Sequence, residues 1–315
     1  MRRTFIVPLL LTLCGVLLLS ACSENKQAPL RIAANNWPGY WPLFLAQAEG
    51  QLGAHLQELS SATEVLRAFR NNNIDVAALT GEEFLQLLDE GNEPQIAMTL
   101  DYSNGADTLL ARASIKTVAD LRGKVIGAER TATGAYLLHR ALASAELAPN
   151  DVTIAAYALS EHEAVFLRGN VDAIVTFEPV RSRLLASGAR ELFNSARMPG
   201  EILDVLVVSR DLARHHGPQL RKLIDTWHAA AARMQAEPAT AAKRLEFMAQ
   251  LTPPQFAQAM AGIHLITREE NQRLLKGELA KTLARLSTLM HATATLSRAM
   301  PDEEIQKHIG GWGIE

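Results

Sequence analysis

The chain has 315 residues, of which 31 are Lys or Arg and 34 are Asp or Glu, so its formal net charge is −3 at pH 7. A chain of this length holds about two domains of ordinary size. Its charges are well mixed and no block of Lys or Arg occurs, which argues against a nucleic-acid-binding protein.

The N-terminus has the pattern of a secretion signal. Arg2 and Arg3 are followed by an apolar run over residues 5–19. A membrane-spanning helix needs about 20 apolar residues, and this run is shorter and ends in small residues. Residues 1–21 are therefore predicted to be a signal peptide that is removed from the mature protein.

The end of this run, LSAC at residues 19–22, resembles the lipobox of bacterial lipoproteins. In that family the cysteine carries a diacylglycerol thioether, which implies lipidation of Cys22, with residues 22–29 as a polar tether to the membrane. The alternative is an ordinary signal peptide cut nearby, with Cys22 a bystander. Cys14 lies within the signal, so Cys22 is the only cysteine expected in the mature chain, and no disulfide can form within it.

The next part of the chain alternates short strands with amphipathic helices, which predicts a mostly parallel sheet covered by helices. In one of these helices Val65, Leu66 and Phe69 recur at helical spacing. The predicted strands cover residues 30–34 and 74–79, and the predicted helices cover residues 41–50, 63–70 and 82–89.

Residues 95–111 break this rhythm. They hold two predicted strands, 96–100 and 108–111, around the turn-forming sequence DYSNG at residues 101–105. A second α/β segment follows, and after residue 210 the sequence is almost wholly helical. The predicted elements are a helix from residue 118, a strand at 124–127, a helix at 133–145, and strands at 152–156, 173–176 and 203–208.

This order of elements predicts two lobes. Residues 30–102 and 203–315 would form the first lobe, and residues 103–202 the second, so that the chain crosses between them twice. Ligand crevices in parallel sheets lie beyond the carboxyl ends of the strands. Two lobes that face each other in this way would enclose one cleft, and the double crossing would let it close.

Several segments resemble the nitrate, sulfonate, taurine and thiamine-precursor group of ABC-transporter solute-binding proteins. The resemblance covers most of the chain up to about Val208. Its most specific segments are IAANNWPGY at 32–40, LFLAQAEG at 43–50, TVADLRGKVIG at 117–127 and DAIVTFEP at 172–179, and residues 101–110 match the passage between the lobes.

This resemblance implies an α/β fold of the two-lobed periplasmic binding protein type II class, a clamshell with a helical C-terminal tail. It implies a monomeric, lipid-anchored periplasmic protein that captures a small anionic or zwitterionic solute for an ABC importer. The expected partners are that solute, the permease and ATPase subunits, and the membrane through the lipid. No cofactor, metal or nucleic acid is expected.

The start of the second lobe's first long helix is the strongest candidate for ligand contact. Thr131, Thr133 and Gly134 precede or begin that helix. Free backbone N–H groups and the helix dipole make such an end an anion site, and the family places a ligand oxyanion there. The alternative is that Thr131 or Thr133 only caps the helix.

Other candidates follow predicted strands of the first lobe or lie at the crossing. Trp37 offers a flat apolar wall with one hydrogen-bond donor, and Asn36 precedes it. Thr80 and Gly81 follow a strand at the expected crevice edge, and Ser103 lies at the crossing. The alternatives are that Trp37 is a loop aromatic packed on a neighbouring helix, that Thr80 only caps a helix, and that Ser103 is part of a turn.

Two carboxylates, Asp101 and Glu178, are predicted to face the cleft. Together they would suit an amine opposite the anion-binding helix end, and therefore a zwitterionic solute. The alternatives are turn capping by Asp101 and a surface or interlobe hydrogen bond of Glu178.

The sequence carries no nucleophile elbow, phosphate loop or dinucleotide fingerprint, so we expect a binding protein rather than an enzyme. Two alternatives remain open. The clamshell could signal its bound state to a membrane kinase or cyclase, or the chain could be an enzyme of thiamine-precursor synthesis. The second is disfavoured because the cysteine-rich motif of that branch is missing.

Overall fold

Two separate β-sheets organise the chain. The computed structural model describes residues 28–129 and 132–310. The first sheet has six strands in the order β11-β4-β10-β3-β1-β2. Its strands are β1 (Arg31–Ala34), β2 (His55–Glu58), β3 (Val76–Thr80), β4 (Pro94–Ser103), β10 (Leu203–Ser209) and β11 (Ile263–Leu265).

Within this sheet β1 is parallel to β2 and β3, whereas β10 and β11 run antiparallel to their neighbours. The second sheet has five strands in the order β7-β6-β8-β5-β9. There β6 is parallel to β7 and β8, and β5 is antiparallel to β8 and β9. Its strands are β5 (Asp107–Ala111), β6 (Val125–Ala128), β7 (Thr153–Ala156), β8 (Ala173–Phe177) and β9 (Arg190–Asn194).

Helices connect these strands and make up most of the chain after residue 210. The helices up to β10 are α1 (Trp41–Ala48), α2 (Ala62–Arg70), α3 (Gly81–Asp89), α4 (Ala132–Ala143), α5 (Leu159–Arg168) and α6 (Val180–Ala186). The later helices are α7 (Arg210–His215), α8 (Gly217–Ala236), α9 (Pro238–Arg244), α10 (Glu246–Ala249), α11 (Pro253–Ala261), α12 (Arg268–Arg273), α13 (Leu279–Ala292) and α14 (Asp302–Gln306).

The chain passes between the sheets twice, from β4 to β5 and from β9 to β10. The two passages are bonded to each other. The hydroxyl oxygens of Ser103 and Ser195 lie 2.7 Å apart, and the backbone N–H of Gly105 donates to the Ser195 hydroxyl at the same distance. Gly105 has φ +109°, a conformation that costs glycine little. The two passages therefore move as one connection.

Several sequence predictions need correction. The predicted turn at residues 101–105 begins too early, since the first three of these residues belong to β4. The helix predicted from Val118 is a short 3-10 turn, Val118–Leu121. The described chain after residue 210 is almost wholly helical as predicted, with the short strand β11 on the edge of the six-stranded sheet. No helix in the described ranges is long and apolar enough to cross a membrane.

Helix α3 shows how local sequence and core packing combine. Thr80 caps the helix by accepting a hydrogen bond from the backbone N–H of Glu83 at 3.2 Å, and the Glu83 carboxylate accepts one from the N–H of Thr80 at 3.0 Å. This is the reciprocal pattern of a capping box. On its inner face the fully buried Phe84 packs in the main hydrophobic cluster. The start of α3 is therefore fixed from both sides.

Phe84→Ala is expected to lower the free energy of unfolding by about 3–5 kcal/mol, because it leaves a cavity in a packed core. Phe247→Ala is the matched control, since Phe247 is 94% exposed, and its effect should stay within about 0.5 kcal/mol. Chemical denaturation of both variants measures the difference. Equal losses would contradict the described position of α3.

Candidate ligand-binding cavity

A cavity of about 30 Å³ lies where the two sheets face each other. Both sheets supply its walls. The six-stranded sheet and its connections contribute Asn35, Trp37, Tyr40, Ala62, Thr80, Glu83 and Asp204, and the passages and the five-stranded sheet contribute Asp107, Glu129, Thr133, Phe177 and Ile202. In this conformation the cavity has room for about two water molecules.

The position of the cavity follows from the strand directions. Trp37 follows β1, Thr80 ends β3, Glu129 follows β6 and Phe177 ends β8. These are all carboxyl ends of parallel-paired strands, where ligand crevices of open α/β sheets form.

Two contacts join the sheets across the cavity. The rings of Trp37 and Phe177 meet edge to face, with centroids 5.6 Å apart at 76°. The hydroxyl of Thr133, in the first turn of α4, donates to the hydroxyl oxygen of Thr80 at 2.8 Å. A solute larger than the present cavity must part these two contacts.

Four carboxyl groups line the cavity, those of Glu83, Asp107, Glu129 and Asp204, whereas no Lys, Arg or His of the described residues does. Three of the four keep oxygens without a hydrogen-bond partner in the described part of the chain. These oxygens are Oε1 of Glu83, Oδ2 of Asp107 and both carboxyl oxygens of Glu129. Buried acceptors of this kind are rare in native proteins and call for an explanation.

Burial disfavours the charged form of these groups. It raises the pKa of Glu83 to about 7 and that of Asp107 to about 7. Burial, reinforced by the negative charge of Glu83, raises the pKa of Glu129 to about 8. At neutral pH the cavity therefore holds carboxyl groups that are close to gaining or losing a proton.

Asp204 belongs to a second carboxyl pair beneath the cavity. Its partner on the neighbouring strand is Asp101, and the hydroxyl of Tyr40 donates to Asp204 Oδ1 at 2.6 Å. Burial, and next the charge of Asp101, raise the pKa of Asp204 well above its usual range. A Cβ at Gly39 would lie 1.9 Å from Asp101 Oδ2, so only glycine lets the loop after β1 pass this close.

The structure brings three of the predicted residues to the cavity, namely Trp37, Thr80 and Thr133. Gly134 lies in the first turn of α4 but is not part of the wall. Thr131 and the predicted lipidation site Cys22 lie outside the described residues.

Three other predicted residues are engaged elsewhere. The Asn36 amide donates to the Met248 carbonyl at 2.9 Å, and its oxygen accepts from Trp41 Nε1 at 3.0 Å. Gly81 faces the core, where a Cβ would lie 2.9 Å from Leu283. The third is Ser103, whose hydroxyl holds the two passages together instead of pointing into the cavity.

The predicted carboxylate pair is also corrected. Glu178 is fully buried, where it accepts hydrogen bonds from Arg181 and from the backbone and hydroxyl of Ser182 at about 3 Å. Asp101 accepts a hydrogen bond from Trp37 Nε1 at 3.0 Å, behind the cavity wall. Carboxyl groups do line the cavity, but they belong to other residues, namely Glu83, Asp107, Glu129 and Asp204.

The fold and this seam cavity define a class of protein, the two-lobed binding proteins of the periplasmic type. A profile of the NMT1-like family matches residues 23–249, more than two thirds of the chain. The chain belongs to the NMT1-like family, which confirms the resemblance found in the sequence. A search of curated protein sequences returned no match.

Solved structures of the same fold include the alkanesulfonate-binding protein SsuA of Xanthomonas axonopodis pv. citri bound to MOPS. It is 22% identical with a TM-score of 0.76, and the match covers 89% of this chain and 98% of that one. The periplasmic aliphatic sulphonate binding protein SsuA of Escherichia coli is 20% identical with a TM-score of 0.71, over 91% and 98% of the two chains.

The desulfurization enzyme DSZB shares the fold at 16% identity and a TM-score of 0.61, over 90% of this chain and all of that one. Likenesses at these identities establish the fold, and the predicted α/β periplasmic binding protein fold with a helical C-terminal region is confirmed. They leave the chemistry of the site to be argued from its own residues.

The carboxyl groups of the cavity predict how stability depends on pH. Above about pH 6.5 the unfolded chain has lost these protons, whereas the folded chain still binds part of them until the pH passes the folded pKa values of about 7 for Glu83 and Asp107 and about 8 for Glu129. Folding thus takes up protons, and the free energy of unfolding should fall as pH rises, by about 1.4 kcal/mol per pH unit for each fully protonated group. Burial lowers the pKa of His162 and of His228 to about 4. Between about pH 4 and about pH 6.5 these histidines make the free energy of unfolding rise with pH, which opposes the effect of the carboxyl groups.

Glu129→Gln should flatten that fall, and the exposed control Glu303→Gln should leave it unchanged. Denaturant titrations at several pH values within the window measure the slope. A wild-type stability that rises over the same window would contradict the described burial of the carboxyl groups.

Proposed function

We propose that this protein is the solute-binding component of an ABC importer and that the seam cavity is its solute site. The observation that carries the proposal is that both sheets supply polar and aromatic walls to one cavity. Membership of the NMT1-like family and the shared fold with two sulfonate-binding proteins support it.

The described cavity walls do not favour the purely anionic solute that the family resemblance implies. A sulfonate or nitrate would meet the carboxyl groups of Glu83, Asp107 and Glu129 with no described cation to offset them. The hydroxyl of Thr133 already donates to Thr80. Of the expected classes, a zwitterion with an amine fits better than a plain anion.

Capture requires the sheets to move apart. The present cavity holds about two water molecules, so a solute enters only when the Trp37–Phe177 and Thr133–Thr80 contacts open. The bonded passages at Ser103 and Ser195 provide the hinge. A solute that bonds to both walls then shifts the equilibrium between the open and closed states towards the closed one. The size of this shift is set by the difference between the solute's binding free energies for the two states.

We propose binding rather than catalysis, although the fold also occurs in an enzyme. The cavity wall of the described residues contains carboxyl, hydroxyl, amide and aromatic groups, and no cysteine or histidine.

The proposed location is the periplasmic face of the cell envelope, with Cys22 as the lipid-bearing residue and residues 22–29 as the tether. This proposal rests on the sequence pattern at residues 19–22. The described chain begins at Ala28, and the amide of Gln219 on α8 donates to the Ala28 carbonyl. The tether would therefore leave the fold on the side of the six-stranded sheet.

A disulfide across the seam tests the capture mechanism. In a chain with Cys22→Ser, the pair Thr80→Cys and Thr133→Cys replaces hydroxyls that lie 2.8 Å apart, close to the geometry of a disulfide. The oxidised protein should bind added solute about 100-fold more weakly or not at all, because the cavity cannot open. Reduction should restore binding, measured by calorimetry with any solute that binds the unlocked protein.

Each single cysteine variant, treated with the same oxidant, controls for the loss of the Thr80 cap and of the hydroxyl pair. Undiminished binding to the oxidised double variant would place the solute site away from the seam and would remove the basis of the proposal.

Lipidation at Cys22 is tested separately. Cells that express the chain with labelled palmitate should incorporate label into the wild type and not into Cys22→Ser, and the variant should shift from the membrane to the soluble envelope fraction. Label that persists in Cys22→Ser would show that the anchor, if any, lies elsewhere.

A further inference from the structure

We propose that the seam cavity selects a small organic cation whose charge is carried by several N–H groups, of the amidine or guanidine class. This inference rests on the proposed function, since it names the solute class of the same site. It departs from the sulfonates bound by the two proteins of like fold.

The first support is the placement of the carboxyl groups. Glu83 comes from α3 and Asp204 from β10, on the side of the six-stranded sheet, whereas Asp107 begins β5 and Glu129 follows β6 on the other side. A solute between them meets carboxyl groups on both faces. Several separate N–H donors satisfy such a set, and a single point charge does not.

The second support is that three of these groups are more than nine-tenths buried and keep at least one carboxyl oxygen without a hydrogen-bond partner in the described chain. The exposed fractions are 1% for Glu83, 7% for Asp107 and 8% for Glu129, and each keeps a carboxyl oxygen unbonded. Leaving a buried acceptor unsatisfied is costly. Solute N–H groups that bond to these oxygens would remove that cost when the lobes close.

The third support separates an organic cation from a metal ion. No group of three acidic, His or Cys side chains among the described residues is close enough to hold a metal. The wall also contains three aromatic side chains, those of Trp37, Tyr40 and Phe177. Aromatic faces attract organic cations, whereas a small hard cation requires a full shell of oxygen ligands.

The groups that face each carboxyl decide how binding depends on pH. Glu129 faces Ser61 of the loop before α2 and the carboxylates of Glu83 and Glu64. Arg70 lowers the pKa of Glu83 only weakly, and its guanidinium is bonded to Glu90 at 2.7 Å.

The two remaining groups also face other acids. Asp107 faces the Ser103 hydroxyl and the charge of Glu178, and Asp204 faces Tyr40 and Asp101. The surroundings are thus acidic or neutral, and a cation that binds them must displace protons. Its affinity should rise with pH across the range in which these groups titrate.

The experiment uses the full chain with Cys22→Ser and isothermal titration at about pH 6.5 and about pH 8, in buffers of different ionisation enthalpy. The probes are guanidinium, benzamidine and agmatine for the proposed class, tetramethylammonium for a charge without N–H groups, and taurine and ethanesulfonate for the sulfonate class. We expect at least one of the first three to bind with release of protons and more tightly at the higher pH.

Tetramethylammonium should bind about tenfold more weakly than that probe, a difference of about 1.4 kcal/mol. Ethanesulfonate should not bind, and taurine, whose amine is offset by its sulfonate, should bind more weakly than that probe. Glu129→Gln and Asp107→Asn should each weaken the bound cation by about tenfold or more. Glu303→Gln, an exposed carboxylate remote from the cavity, should bind as the wild type does. Circular dichroism and thermal melts confirm that the variants are folded.

The outcomes separate this inference from the proposed function. If taurine or ethanesulfonate binds and the cations do not, the solute class is overturned while the solute-binding function stands. If tetramethylammonium binds as well as the N–H donors, the requirement for N–H groups is overturned. If no probe binds, the solute class is likewise rejected.

Discussion

The burial of carboxyl groups at the seam between the two sheets is the constraint on which the site depends. A buried carboxylate is stable only when a cation, a set of hydrogen-bond donors or a proton compensates its charge. In the described chain Glu178 has compensation from Arg181 and Ser182, whereas Glu129 and Asp107 have little. The structure thus holds two kinds of buried acid, one that stabilises the fold and one that is available to a ligand.

The two passages and the cavity wall share the same short stretch of chain, which in the proposed mechanism couples closure to binding. Ser103 accepts a hydrogen bond from the backbone N–H of Asp107 at 3.2 Å and contacts Ser195 on the other passage. Asp107 is also part of the cavity wall. In the proposed mechanism a solute that bonds to Asp107 acts directly on the connection about which the sheets rotate. Closure then does not have to be transmitted through a longer series of contacts.

The succession of most strands and helices along the chain and the crevice edge could be predicted from the sequence, because both follow from local patterns. Trp37, Thr80 and Thr133 were found because each follows a strand or begins a helix. Glu83 was missed because a Glu three residues after a Thr is also the ordinary signature of a helix cap. Asp204 was missed because its burial depends on its pairing with Asp101 on β4, and sequence alone does not specify which strands pair. Glu178 was predicted to face the cleft because it follows β8, but its side chain turns inward to Arg181.

A shared fold does not fix the charge of the ligand, and the start of α4 shows why. A helix N-terminus attracts negative charge within its first turn, and in a sulfonate-binding protein a bound anion could use such a site. Here Thr133 in that turn lines the same cavity as Glu129 and Glu83, and its hydroxyl is bonded to Thr80. The carboxyl groups of the same wall would repel an anion near this helix end, and this is why we propose a cation as the ligand.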